Sequence, residues 1–269
     1  MLTHRLSVDT ERDVVVKRFI QATRGEPARE WRALQLLHEH APGLAPEPLR
    51  ADLVAVEPVV EMSLLPGEPL GSAQLTQEQE SALVRALGQL WQSVPVDRVL
   101  AVPGEYGNEA QLLHAVSELA SERPDLGRDP LIQAAYAAGL DWLTWAVSVT
   151  GDPAGRQPVF GQGDANLANF LWDGDRIRIV DFEDSGLSDR ALELAVLVEH
   201  ISAWLEAGLD GDQFAEAFDL TPAERARLAD CRRLCALHWL LLLRPGSLSS
   251  ARNPRDTLVR QAEHLLALF

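Results

Sequence analysis

The chain has 269 residues, enough for one large domain or two modest lobes with real cores, and 46% of them are hydrophobic, which excludes a disordered chain. Its formal charge of −16 excludes a nucleic-acid partner, because a phosphate backbone demands basic patches. No basic-then-apolar leader opens the sequence, and the longest apolar run, Leu234–Leu243, is far short of the roughly 20 residues of a membrane span, so a cytoplasmic protein without a membrane partner is expected.

In chain order, Leu2–Val8 and Asp13–Ile20 read as two strands joined by a polar turn at Asp9–Arg12. Val14, Val15 and Val16 are apolar and β-branched, and Lys17 follows in the same strand. Pro27 stands where a helix begins, with Trp31, Leu34, Leu37 and His38 at helical spacing, and Pro42, Pro46 and Pro48 close it in a loop. Leu53–Glu57 and Val59–Leu65 read as a second strand pair, ended by Pro66-Gly67. The character then turns helical. Thr76 and Gln79 form a capping box for a helix to about Ser93, and amphipathic helices follow over Asn108–Arg123 and Pro130–Val149. Strand signal returns only at Phe170–Trp172 and Arg176–Asp181, around the hairpin turn Asp173-Gly174-Asp175. The rest predicts helices over Asp189–Ala207, Asp212–Phe218, Thr221–Leu243 (Thr221 cap, Pro222, Glu224 at the box position) and Asp256–Leu268. Cys231 and Cys235 lie one helical turn apart without the further ligands zinc needs, and read as ordinary helix residues. The pattern is an α+β, two-lobe chain: a small β-rich lobe over residues 1–65, a linker near Leu64–Pro69, and a larger, mainly helical lobe over 66–269.

Chemistry concentrates in Gly161-Gln-Gly-Asp-Ala-Asn-Leu-Ala-Asn169 and Ile177-Arg-Ile-Val-Asp-Phe-Glu-Asp184. Asp164 precedes Asn169 by five positions, and Asp181 ends a short apolar strand. The set supplies one proton-accepting carboxylate and two oxygen donors for a hard cation, the layout phosphoryl transfer needs to orient a hydroxyl and neutralise a moving phosphoryl group with Mg²⁺. From Gly161 to His200 there are nine acids against three arginines, a net of −6. That excess fits an attraction for an amine-bearing small molecule, and equally a solvated acidic face.

Asp-x4-Asn with a downstream Val-Asp-Phe-Glu-Asp resembles the aminoglycoside phosphotransferase family, which includes choline-kinase-like and other small-molecule kinases of the protein-kinase-like fold. The resemblance runs from about Leu2 to the last helices and is most specific over Phe160–Glu199. It implies a two-lobed fold with ATP or GTP in the cleft between lobes. Asp164 would then orient, and deprotonate, the acceptor hydroxyl, and Asn169 and Asp181 would hold Mg²⁺. Lys17, the only lysine of the chain, would contact the α- and β-phosphates from a strand similar to the kinase Val-Ala-Ile-Lys strand. Glu30 would hold that lysine, with Glu26 as the candidate one turn away, and Ser63 and Leu65 would touch the nucleotide. Asp189 and Glu193 match the family's Gly-Asp-Pro-x-x-Asp-Leu-Ala segment, where Asp189 would cap a helix and brace the catalytic loop. Glu183, Asp184 and Glu199 are candidates for substrate contact. Trp145, Trp204, Trp239 and His238 would line the acceptor pocket or fill core.

Two departures bear on activity. Gln162 replaces the histidine that usually opens His-Gly-Asp, although its amide also donates and accepts hydrogen bonds. Gly25 is the only glycine among the first 40 residues, so a phosphate-covering loop is nearly lacking; either a strand precedes Met1 or nucleotide is held weakly under a curtailed lid. The expected function is ATP- or GTP-dependent phosphorylation of a hydroxyl on a small molecule, an aminoglycoside or other amino-bearing alcohol. The alternative is a kinase-fold nucleotide-binding or scaffold protein with little or no turnover. A protein-kinase reading is poorer, since no Ala-Pro-Glu-like segment follows Asp181.

Overall fold

The computed structural model describes residues 4–71, 73–102, 108–149 and 156–269, the side chains of 147–149 excepted. Leu2 and Thr3, expected at the head of the first strand, lie outside the described residues. Strands β1 (His4–Asp9), β2 (Val14–Phe19), β3 (Pro48–Asp52) and β4 (Val59–Ser63) form an antiparallel sheet in the order β1-β2-β4-β3. Register sets Lys17 opposite Leu6 on one side and Val60 on the other. Between β2 and β3, helix α1 (Glu26–His40) starts with proline in its first turn and buries Glu30, Ala33, Leu34 and Leu37 on one face. That face joins Phe19, Val60 and Met62 in a common core.

The third strand is displaced from its expected place: it is 48–52, and Leu53–Glu57 is the turn that follows. The Asp52 carboxylate accepts from the amides of Val54 (3.3 Å) and Ala55 (3.2 Å), an Asx turn that ends the strand. Val54 and Val56 consequently stand fully in solvent.

Beyond Ser63 the chain is mainly helical. A short strand β5 (Glu68–Pro69) leads to α2 (Gln77–Ser93), whose capping box at Thr76 and Gln79 forms both hydrogen bonds. Then come α3 (Val96–Leu100), α4 (Glu109–Ser121) and α5 (Pro130–Val149). Strand β6 (Pro158–Gly161) and a 3₁₀ turn, Leu167–Asn169, flank the loop that carries Asp164, followed by the hairpin β7 (Phe170–Trp172) and β8 (Ile177–Ile179), then β9 (Gly186–Asp189). The chain ends in α6 (Arg190–Val198), a wide π turn at Ser202–Glu206, α7 (Gly211–Glu216), α8 (Pro222–Leu242), α9 (Leu248–Arg252) and α10 (Thr257–Ala267). A second apolar cluster is shared by α4, α5, α8 and α10. Among the described residues no helix is long and apolar enough to cross a membrane.

Two features differ from the expected helical lobe, and both shape the site. Strands β6 and β9, too short and glycine-bounded to signal themselves, pair antiparallel with Gly161 opposite Gly186. This pairing lays the loop 162–169 beside the loop 181–185. The helix expected over Asp189–Ala207 instead stops at Val198, because the Ser202 amide donates to His200 Nδ1 (3.1 Å), a local bond that competes with helical geometry.

Candidate active site

Lys17 is 2% exposed, and three carboxylates surround its ammonium: Asp181 at 2.6 Å, Glu183 at 2.9 Å and Glu30 at 3.0 Å. Burial alone would lower the lysine pKa, but the charges of Glu30, Asp181 and Glu183 more than offset it and hold the group protonated. Glu30, not Glu26, is therefore its helix partner; Glu26 accepts instead from the Arg24 amide and guanidinium. Glu183, expected at the substrate, also faces this cluster. Burial would raise its carboxyl, yet His4 and Lys17 bring it down to about 2.

Asp181 has φ 63°, a left-handed backbone that costs a non-glycine residue roughly 1 to 3 kcal/mol and clusters at functional sites. Gln162 holds it there, donating from Nε2 to the carbonyls of Asp181 (2.7 Å) and Val180 (3.3 Å) while its Oε1 accepts from the Asp164 amide (2.8 Å). One glutamine amide thus ties the two motif loops together, and the departure from histidine leaves the brace intact. Gly163 has φ 85°, and a Cβ there would sit 2.1 Å from the Asp184 carbonyl oxygen, so only glycine lets the loops approach this closely.

Asn169 Nδ2 donates to both the carbonyl (3.1 Å) and the carboxylate (3.2 Å) of Asp164, leaving Asn169 Oδ1 without a partner among the described residues. Asp181 likewise offers Oδ2, its Oδ1 being held by Lys17. One amide oxygen and one carboxylate oxygen are the hard donors Mg²⁺ takes alongside water and phosphates, so the donor set fits that ion. Burial, then the charge of Asp181, raises the Asp164 carboxyl to about 6.

These residues line two cavities. One, of about 260 Å³, is lined by Lys17, Glu30, Ser63, Leu65, Asn169 and Asp181, bringing together every residue assigned from sequence to the nucleotide and metal. The other, of about 590 Å³, is lined by Asp164, Asp184, His200, His238 and Trp239 among others. Asp184 is held by Arg24 (3.4 Å) and Arg29 (3.6 Å), and burial raises its pKa.

Glu199 belongs to neither cavity and is corrected as a substrate candidate. It is fully buried, with its carboxylate on Arg232 (2.6 Å) and His264 (2.6 Å), a pair that ties α6 to the C-terminal helices. Trp204 stacks on that same His264 at 4.2 Å, and Trp145 is half exposed, so only Trp239 and His238 of the expected lining reach the cavity. The bracing role expected of Asp189 is divided. Asp189 caps α6 through the Leu192 amide and pairs with Arg227, whereas the buried Glu193 accepts from the Gln162 amide at 3.0 Å. Burial pushes the Glu193 carboxyl up to about 7, the Gln162 and Gly163 amides pulling it partly back. Arg24 and Arg29 carried no sequence signal, because the Asp184 they hold comes from a loop far along the chain, and His200 carried none either.

This fold and cleft are those of a kinase-like small-molecule phosphotransferase. A family model described as the phosphotransferase enzyme family matches residues 3–231. The chain belongs to that family and is an enzyme of the small-molecule kinase class. No curated protein matches it in sequence. A choline/ethanolamine kinase family protein from Mesorhizobium loti superposes with a TM-score of 0.65 at 19% identity, over 100% of this chain and 85% of that one. A choline kinase from Streptococcus pneumoniae gives 0.59 at 15%, over 99% and 89%. A spectinomycin phosphotransferase, solved with ADP and spectinomycin, gives 0.62 at 14%, over 98% and 89%. At these identities the likeness is one of fold.

Proposed function

We propose that the chain transfers the γ-phosphoryl group of ATP or GTP to a hydroxyl of a small amino-bearing alcohol, aminoglycosides among them, in the cytoplasm. Residues 1–65 would serve as the nucleotide lobe and 66–269 as the acceptor lobe. The observation that carries this reading is a pair of cavities linked by one hydrogen bond: Lys17, Asn169 and Asp181 line one, Asp164 lines the other, and Asn169 donates to Asp164. Lys17 would bind the phosphates, positioned by Glu30. Mg²⁺, held by Asn169 and Asp181, would supply charge neutralisation on the moving phosphoryl group. Asp164 would accept a hydrogen bond from the attacking hydroxyl and take its proton late, since a loose transition state asks for positioning more than basicity. Asp164, which forms no ion pair among the described residues, favours an amine close to that hydroxyl. Two free, buried cysteines accord with a reducing compartment.

ATP or GTP consumption across a panel of amino sugars and amino alcohols tests the reading. Wild type is expected to turn over at least one acceptor, and Asp164→Ala to lose about 10²-fold or more. Equal residual rates in both would sink it. One observation favours the runner-up, a nucleotide-binding protein with little turnover: three carboxylates already neutralise Lys17. Nucleotide binding without turnover of any acceptor would select that alternative.

A further inference from the structure

The acceptor cavity contains a polar group that the phosphoryl chemistry does not use. His200 lines it together with Asp164, just beyond the point where α6 ends. Its Nδ1 receives the backbone N–H of Ser202 at 3.1 Å and contacts the Ser202 hydroxyl at 2.7 Å. A backbone N–H can only donate, so Nδ1 must carry a lone pair and the ring proton must be on Nε2. The hydroxyl is oriented the same way: Ser202 Oγ accepts from the Leu167 amide at 2.9 Å, which leaves its own proton for Nδ1. The catalytic loop therefore sets the tautomer of a ring 33 residues further on, through the chain Leu167 N–H, Ser202 O–H, His200 Nδ1. Nε2–H has no hydrogen-bond partner among the described residues, and it is not among their buried polar atoms that lack one.

The surroundings keep the ring neutral and in place. Burial lowers His200 to about 4, and its neighbour in the cavity, His238, equally to about 4. Trp239 meets the His200 ring edge-on at 4.8 Å and 88°. Leu112, Val196 and Leu242 supply apolar lining. His200 thus adds a directed donor to a cavity whose charged lining is Arg24, Asp164, Asp184 and Glu193.

We infer that His200 is a specificity-determining positioning residue, which donates its Nε2–H to an oxygen of the phosphoryl acceptor and so selects alcohols that carry a second, uncharged oxygen over alcohols that end in a quaternary ammonium. A quaternary ammonium has no lone pair for the donor and leaves it unsatisfied, the mismatch that polar sites discriminate against most strongly. The inference rests on the kinase reading only for its kinetic consequence.

Ring-¹⁵N NMR of the full chain tests it without turnover. The expected result is an Nε2–H neutral His200, with its signals moved by spectinomycin or myo-inositol and not by choline. An Nδ1–H tautomer, no response to either oxygen-bearing probe, or an equal response to choline would overturn it. Where acceptors are turned over, His200→Leu should raise KM for oxygen-bearing acceptors roughly 3- to 10-fold with a smaller change in kcat, as for one lost neutral hydrogen bond, and leave any choline KM unmoved. His200→Gln, which retains an N–H donor, should recover most of that loss. An unchanged preference in His200→Leu defeats the inference alone; no turnover by wild type, with the NMR response present, defeats the kinase reading alone.

Discussion

The two sides of the cleft are built from opposite materials. On the nucleotide side, one ammonium is buried among three carboxylates, each within 3.0 Å of Lys17 Nζ. On the side proposed for the acceptor, the lining mixes aliphatic groups, an indole, polar amides, Arg24 and Glu193 with Asp164 and Asp184, and two of its imidazoles, His200 and His238, are held neutral by burial. The first is an electrostatic assembly; the second is a shaped cavity in which a directed donor can decide the fit. Phosphates are alike in every substrate and call for fixed charge, whereas acceptors differ and call for shape and hydrogen-bond direction.

Breaking the charged side should have the largest effect. Lys17→Ala leaves Glu30, Asp181 and Glu183 close together without their cation, and is expected to cost on the order of 3 to 5 kcal/mol in chemical denaturation and to abolish nucleotide binding. A Lys17→Ala, Glu30→Gln double variant should be less destabilised than the sum of the singles, because the two residues form one buried pair. Additive losses would show the pair to be energetically independent.

Next in size is the support between the two sides. Glu193 keeps its proton to about pH 7 in the fold against an ordinary carboxyl value of 4.5. A raised folded pKa means a contribution present in full below pH 4.5 and lost as pH rises through about 7. The stability of the wild type should therefore fall across that window by up to about 3 kcal/mol from this group. Glu193→Gln, which has no proton to lose, should flatten the profile between pH 5 and 8 in thermal melts. An unchanged slope would place the titration elsewhere.

The smallest effect marks where the sheet stops mattering. Val56→Ser lies in the turn after β3 with a fully exposed side chain, and should alter stability by no more than about 0.5 kcal/mol. A loss of several times that would restore this segment to the sheet.

Much of the site was legible because its residues are close in sequence. Asp164, Asn169 and Asp181 fall within 18 positions, and the β7–β8 hairpin between them announces itself by its Asp-Gly-Asp turn. Lys17 and Glu30 were legible for a different reason: a lone lysine on a valine-rich strand before a proline-started helix. The misplacements have physical causes as well. Apolar Leu53–Val56 reads as strand until Asp52 is seen capturing two amides. Glu199 sits in an acidic stretch but meets Arg232, 33 residues away, and a buried ion pair of that separation has no local pattern. The β6–β9 pairing depends on partners that only the folded chain brings together, and the Ser202–His200 bond, although local, interrupts a segment that periodicity reads as one helix. Binary periodicity detects a helix; it cannot show which of its amides a side chain will claim.

A crystal structure with Mg²⁺ and a non-hydrolysable ATP analogue tests the junction at Asp164 most directly. The expected result is triphosphate against Lys17, the ion on Asn169 and Asp181, and the γ-phosphate facing the cavity that Asp164 shares with His200. A nucleotide seated elsewhere, or a γ-phosphate separated from Asp164 by protein, would contradict it.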